Sequence, residues 1–179
     1  MSRVRLVKVE EADGKANEVF GDIQQSFGMV PNLFKAYALR PEILDAKWNQ
    51  VKAVMQEGKL PPQLKQMIAV VVSKANECQY CVNAHSAALA MMGMSQQQIR
   101  QIIENVEAAH LPEADALVLK LAAKSTKDPR SITDQEMDKL KQLGYRDAQV
   151  VEIFSVVALF TALNKFIDTL QIPIDFPAP

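Results

Sequence analysis

Proline and glycine divide this chain into segments whose apolar residues have helical spacing. Proline suits the first turn of a helix, and glycine suits the residue that follows the last turn. Prolines precede and glycines follow several of these segments, with Pro41, Pro62 and Pro112 at starts and Gly58, Gly93 and Gly144 at stops. No segment has the alternating pattern of a convincing strand. The sequence therefore predicts an all-α fold.

Composition narrows the class of protein further. The chain has 179 residues, of which 49% are hydrophobic, and a formal net charge of −1. This length predicts one domain over residues 1–179, with enough apolar residues for a sizeable core. Lysine and arginine are scattered, which argues against nucleic acid or an anionic membrane as a partner. The N-terminus lacks the apolar core of a signal peptide, so a cytoplasmic location is expected.

Capping patterns predict where the helices begin and end. Asn32 is expected to cap a short helix, and Asn76 with Gln79 predicts a helix that begins at Glu77. The segment 63–75 is apolar over most of its circumference, which predicts a central position. The expected helices cover about 10–26, 33–39, 41–57, 63–75, 77–93, 95–106, 113–126, 133–144 and 147–170. In the last helix the apolar run 150–163 is too short to span a bilayer, which favours packing or oligomerisation.

The stretch 76–85 holds both cysteines and one of the two histidines. On one helix, Cys78, Cys81 and His85 would share a face, because side chains three or four residues apart are neighbours. A thiolate attacks peroxides and disulfides, and a second thiol can then close a disulfide. Cys78 would lie in the first turn, where the helix dipole favours negative charge, and His85 could accept a proton from Cys81. The spacing predicts a redox-active cysteine pair.

Other interpretations of these residues remain open. The cysteines could be small apolar core residues, and His85 could be an ordinary core or surface histidine. A zinc site would need four ligands, and His110, in an expected loop, is the other histidine available. Tyr80 is expected to pack in the core. The sequence predicts no bound metal and no cofactor.

The same stretch resembles the AhpD-like, or carboxymuconolactone decarboxylase-like, superfamily. The similarity is carried by Leu64–Val70, by Asn76–Cys81 with His85, by 26–34 and 41–44, and by 144–147 with the last helix, and it extends over about 19–170. The resemblance implies an AhpD-like helical bundle that assembles into a trimer or hexamer. It also implies that Cys81 is the cysteine oxidised to sulfenic acid, that Cys78 is its proton donor and disulfide partner, and that His85 belongs to a proton relay.

One position departs from the family pattern. The family usually has a glutamate twelve residues before the first cysteine, where this chain has Gln66. An amide can hydrogen-bond but does not exchange a proton at neutral pH. The relay would then be weaker, would be unnecessary, or would pass through another group, with Glu77, Glu152 and Tyr80 as candidates.

The predicted function is that of an antioxidant, alkylhydroperoxidase-like oxidoreductase, a peroxidase or disulfide reductase with a redox-active disulfide. Its partners would be a hydroperoxide or disulfide substrate and a thiol reductant, for which lipoyl-type and thioredoxin-like donors are candidates. One alternative is decarboxylation of a lactone acid, as in the family's other branch, although that reaction has no evident use for a cysteine pair. Another is a non-enzymatic, redox-responsive helical homo-oligomer.

Overall fold

The computed structural model describes residues 2–179, and helices form the whole framework of that range. Nine α-helices are described: α1 Gly14–Phe27, α2 Asn32–Tyr37, α3 Pro41–Met55, α4 Pro62–Ala75, α5 Gln79–Met91, α6 Gln96–Glu104, α7 Glu113–Lys127, α8 Asp134–Gln142 and α9 Asp147–Leu170. Short 3₁₀-helices cover Val9–Glu11, Val106–Ala109 and Pro129–Ser131. No strand occurs in the described range, so the predicted all-α fold is confirmed.

Helix α4 lies at the centre of the bundle. It packs against α5, α7 and α9, and most of its residues are buried, including the polar Lys65 and Ser73. A helix that is apolar over most of its circumference gains stability only when several neighbours cover it. The predicted central position of this segment is therefore confirmed.

Helix α9 is the one described helix long and apolar enough to cross a membrane, judged by length and composition alone. Half of its most apolar window is buried inside the protein, and the helix packs against α3, α4 and α7. The core helix of a soluble protein has the same composition. Its placement agrees with the packing helix expected from the sequence.

After α9 the chain turns back across the bundle. Residues 172–179, here called the C-terminal tail, cross the starts of α2 and α5. The Asp175 carboxylate accepts a hydrogen bond from the Asn32 main-chain N–H at 2.6 Å. The Phe176 carbonyl accepts one from the Asn83 side chain at 3.3 Å. The tail therefore connects the end of the chain to two helices that lie far from it in sequence.

The predicted N-cap of α2 is wrong. Pro31, not Asn32, is the N-cap of α2, and Asn32 is the first helical residue. The free N–H group at this helix start is bound by Asp175, a carboxylate from the other end of the chain. Because Asp175 is far from α2 in sequence, the residues around the helix start carry no capping pattern that would reveal it.

Candidate active site

Helix α4 ends and α5 begins within a few residues. The Cys78 N–H donates to the Ser73 carbonyl at 2.9 Å, and the Glu77 N–H donates to the Lys74 carbonyl at 3.0 Å. These are the paired bonds of a Schellman motif, which needs a left-handed residue, here Glu77 with φ 62°. Cys78 is therefore the N-cap of α5. The predicted helix start at Glu77, capped by Asn76, is wrong.

Both cysteines are reduced, with exposed fractions of 0% for Cys78 and 3% for Cys81. The neighbouring Cys78 thiol and burial both raise the pKa of Cys81. Because Cys78 precedes the helix, the predicted shared helical face holds only for Cys81 and His85. The structure nevertheless places both cysteines near each other at the start of α5.

Three polar side chains from two helices and their ends form a buried network beside Cys81. Asn164 of α9 is fully buried, and its Oδ1 accepts a hydrogen bond from Asn76 at 2.9 Å. Its Nδ2 donates to the Ser73 hydroxyl at 3.2 Å. The Cys78 thiol and burial raise the pKa of Cys81, and the Asn164 amide acts in the opposite direction.

His85 is paired with Gln66, the residue that departs from the family pattern. The His85 Nδ1 lies 2.7 Å from the Gln66 Oε1. An amide oxygen only accepts, so Nδ1 carries the proton and Nε2 is left as the accepting nitrogen. The imidazole packs edge-on against Phe160 at 4.3 Å, and burial lowers the pKa of His85 to about 3. His85 is therefore neutral near pH 7.

Tyr80, a candidate for the relay, links three parts of the chain. Its hydroxyl accepts a hydrogen bond from the Leu33 N–H at 3.3 Å, and its ring packs edge-on against Phe176 at 5.6 Å. Burial, followed by the nearby Asp175 carboxylate, raises the pKa of Tyr80. The phenol therefore stays protonated, and these contacts match the expected packing role.

Glu77 and Glu152, the two glutamates considered for the proton relay, lie in different surroundings. Glu77 is exposed at the left-handed corner before Cys78. Glu152 accepts hydrogen bonds from the main-chain N–H groups of Lys59 and Leu60 at 2.8–3.0 Å, and lies 3.7 Å from the Lys65 ammonium. These contacts bind the Glu152 carboxylate to the loop between α3 and α4, so its observed role is to stabilise that loop.

A cleft of about 570 Å³ lies beside the start of α5. Glu77 and Gln79, the residues on either side of Cys78, both contribute to its wall, as does Val82. Lys74 and Lys127 add positive charge to the same wall. The cleft reaches the neighbourhood of the cysteine pair, although neither cysteine lines it.

Metal binding finds little support in the described residues. Within 2–179, no three His, Cys, Asp or Glu side chains converge to hold a metal ion. His110, considered as a further zinc ligand, is exposed and follows the turn Val106–Ala109.

Sequence reasoning missed the roles of Ser73 and Asn164 beside Cys81. It assigned Asn76 to a helix cap, whereas the Asn76 side chain binds Asn164. The available signal was a polar residue inside an otherwise apolar helix, at position 73 in α4 and at position 164 in α9. Buried polar groups need partners, so two such residues in central helices indicate that they meet.

Comparison with known proteins gives consistent matches. The model of the carboxymuconolactone decarboxylase family matches residues 41–124. The fold is similar to an uncharacterised peroxidase-related protein from Silicibacter sp. TM1040, with a TM-score of 0.88 and 29% identity over 96% of this chain and 91% of that one. It is also similar to an alkylhydroperoxidase AhpD core from Rhodospirillum rubrum, with a TM-score of 0.56 and 30% identity over 76% of this chain and 97% of that one.

A curated relative gives a more distant match. It is an alkyl hydroperoxide reductase of Mycobacterium tuberculosis, 24% identical over 114 residues. The match takes in 64% of this chain but only 33% of the relative, so this chain spans about a third of that protein's length.

Proposed function

Because the chain belongs to the AhpD-like, or carboxymuconolactone decarboxylase, superfamily, we propose that it is a thiol-dependent oxidoreductase that reduces alkyl hydroperoxides. The observation that carries the proposal is the pair of reduced, buried cysteines, three residues apart at the start of α5. The names of the peroxidase-related and reductase relatives support the same class of reaction.

The proposed cycle uses the two thiols in turn. The Cys81 thiolate attacks the hydroperoxide, an S–O bond forms, the O–O bond breaks, and the alkoxide takes a proton and leaves as an alcohol. The Cys78 thiol then attacks the sulfenic acid, forming the disulfide and releasing water. An external dithiol of the lipoyl or thioredoxin-like class reduces this disulfide by exchange and is itself oxidised.

His85 would assist proton movement in this cycle. Its Nε2 is the free accepting nitrogen, because Nδ1 donates to Gln66. A neutral imidazole with a pKa of about 3 is a weak base, so it accepts a proton only transiently. With Gln66 in place of an acid, the relay ends at the imidazole, which favours a slow peroxidase.

We also propose that the protein works as a homo-oligomer, a trimer or hexamer, in the cytoplasm. Met91 is 88% exposed at the end of α5, and Val151 is 65% exposed on α9. Apolar side chains left open on helices next to the cysteine pair favour a covering subunit.

The proposal is tested by adding one equivalent of cumene hydroperoxide to the reduced protein and measuring free thiols and intact mass. We expect both thiols to disappear and the mass to fall by two hydrogens. Cys78→Ser should stop after gaining one oxygen, because no second thiol can displace it, and Cys81→Ser should not react. Two thiols that survive in the wild-type protein would contradict the proposal.

That negative result would favour a second candidate, a non-enzymatic, redox-responsive helical oligomer. The observations that support it are the burial of both thiols and the replacement of the usual acid by Gln66. Reaction of the pair with a disulfide but not with a hydroperoxide would instead favour a disulfide reductase that uses the same two cysteines.

A further inference from the structure

The cleft beside the start of α5 has a largely apolar interior built from four helices. Val71 of α4, Val82 of α5 and Ile102 of α6 line it and are buried, with exposed fractions of 5%, 5% and 1%. Ile103 of α6 and Ala123 of α7 line it and are half-buried. An apolar molecule in the cleft would therefore exchange contact with water for contact with apolar side chains on several sides.

The size of the cleft also suits a small organic molecule. Its volume of about 570 Å³ falls within the range of about 300–1,000 Å³ that is typical of ligand sites. A smaller cleft, lined by Glu113, Ala116, Leu117, Lys120 and Lys139, has a volume of about 200 Å³ and lies below that range. Volume therefore favours the cleft at α5.

The charges around the cleft do not favour a charged ligand. Its wall carries Lys74 and Lys127 together with Glu77 and Glu104, so the four side chains have no net charge. Lys74, Glu104 and Lys127 belong to the last turns of α4, α6 and α7, whose partial negative charge disfavours an anion. The first turn of α5 adds partial positive charge, one helix end against three. An uncharged ligand therefore suits the cleft best.

The cleft lies against the segment that carries the cysteines. Glu77 and Gln79 in its wall are the chain neighbours of Cys78, and Val82 is the chain neighbour of Cys81. Neither cysteine lines the cleft, so a molecule bound there is next to the cysteine pair without touching it. Its reactive group would have to pass the first turn of α5 before it meets a sulfur.

We propose that this cleft binds the uncharged alkyl or aryl part of an organic hydroperoxide and of the alcohol formed from it. The inference rests on the proposed function and extends it by naming the substrate class. That class is apolar, uncharged hydroperoxides, in preference to hydrogen peroxide, which has no apolar part, and to fatty-acid hydroperoxides, which carry a carboxylate. The apolar part is the same before and after reduction, so substrate and product use one site.

Binding is tested with three probes that share one shape and differ in charge, phenylpropanol, phenylpropanoate and phenylpropylammonium. Each is titrated into the reduced protein while the methyl signals of Val82 and Ile103 are followed by NMR. We expect phenylpropanol to shift these signals and to bind about threefold more tightly than the anion. Tighter binding of either ion, or shifts that leave both methyl signals unmoved, would overturn the assignment.

A substitution that fills the cleft tests its location. Ala123→Phe places a ring in the cleft, and phenylpropanol should then bind at least about tenfold more weakly. The matched control is Ala116→Phe on the same helix, which fills the smaller cleft and should leave the affinity unchanged. An equal loss in both variants, or no loss in Ala123→Phe, would overturn the assignment. If Ala123→Phe does not fold, Ile103→Ala decides, because it removes part of the wall and an unchanged affinity would overturn the site.

Rates with two peroxides test the substrate class. The ratio of the rate with cumene hydroperoxide to the rate with hydrogen peroxide should fall about tenfold in Ala123→Phe and keep its wild-type value in Ala116→Phe. An unchanged ratio in a folded Ala123→Phe protein would overturn the role of the cleft in substrate binding.

The binding titration needs no peroxide, so the two proposals can fail separately. A protein that binds phenylpropanol in the cleft and ignores peroxide loses the peroxidase function and keeps a site for uncharged apolar molecules. Normal peroxide reduction without binding of phenylpropanol keeps the peroxidase function and removes the role of the cleft.

Discussion

Asp168 lies one helical turn after Asn164 on α9 and acts on the Cys81 thiol in the opposite direction. Its carboxylate raises the pKa of Cys81 by charge repulsion, whereas the Asn164 amide lowers it. Asp168 is exposed, so solvent and salt screen the repulsion. One face of α9 therefore carries both a favourable and an unfavourable influence on the same sulfur.

Removing the negative charge of Asp168 tests its effect on the pKa of Cys81. Asp168→Asn should lower the pKa of Cys81, because it removes a like charge from beside the thiolate, and alkylation by iodoacetamide should become faster. We expect the gain to shrink in high salt, because mobile ions screen the carboxylate charge. Mass mapping of Cys81 after timed alkylation measures the rate.

The control for this prediction is Asp147→Asn at the far end of α9. Asp147 is paired with Lys141 at 3.5 Å, and its side chain is 89% exposed. The same change in net charge there should leave alkylation of Cys81 unaltered. Equal acceleration in both variants would attribute the effect to the overall charge.

At the residue scale, sequence reasoning finds groups whose chemistry is unusual and misses those whose role comes from placement. Cys78, Cys81 and His85 were identified because thiols and imidazoles close in sequence have few other uses together. Asn164 is an ordinary amide, and only the packing of α9 against α4 brings it to Ser73 and Asn76. Whether the identified residues perform the predicted steps stays a prediction.

At the scale of helices, the same C-terminal motif ends α4, α5, α8 and α9 with paired hydrogen bonds. Gly93 and Gly144 occupy its left-handed position after α5 and α8, and the sequence predicted both stops. Glu77 and Gln171 occupy that position after α4 and α9. A left-handed glutamate has no sequence signal, because an L side chain rarely adopts that conformation. The start of α5 was therefore misplaced.

The connection between α3 and α4 depends on a polar contact with α9. The Glu152 carboxylate accepts from the Lys59 and Leu60 N–H groups, and the Lys65 ammonium donates to the carbonyls of Val54 and Glu57. Burial alone would raise the pKa of Glu152, but the two N–H donors and the Lys65 charge bring it below its ordinary value.

Glu152→Gln should therefore destabilise the protein while leaving thiol reactivity intact. We expect a loss of about 1–2 kcal/mol in the free energy of unfolding at pH 7, because an amide cannot serve both N–H groups and the ammonium equally well. The depressed pKa contributes stability above the unfolded value of about 4.3, and this is lost as the pH falls through that range. The difference between variant and wild type should thus narrow below about pH 4.

Denaturant unfolding at several pH values measures this prediction. The control is Glu107→Gln, which breaks an exposed pair with Lys120 and should change stability little. A slower reaction with peroxide in a stable Glu152→Gln protein would instead place Glu152 in the relay.

At the scale of the whole molecule, helical periodicity predicted the class and order of the helices but could not predict how the chain ends meet. The tail reaches α2 and α5 through Asp175 and Phe176, which lie in a short segment with no periodic pattern. Such contacts depend on the complete bundle and leave no local trace in sequence. That residues 1–179 form a single domain stays a prediction.

The tail should stabilise the first turn of α5. Phe176→Ala removes the ring that packs on Tyr80, and we expect a loss of about 1–2 kcal/mol because the ring is only partly buried. Hydrogen exchange should accelerate at residues 79–83 and remain unchanged in α8. The control is Ile174→Ala in the same tail, where the side chain is 47% exposed. Equal acceleration in both variants would contradict a specific role for Phe176.

The polar network beside Cys81 draws on α4, its end and α9, and this has a consequence for protein engineering. Transplanting the short stretch 76–85 into another helical scaffold would carry over the sulfurs and the imidazole but leave Asn164 behind. In such a graft the Asn76 amide would lose its buried partner, because α9 supplies Asn164. A successful transfer would therefore have to include the surrounding residues of α4 and α9 as well as the stretch itself.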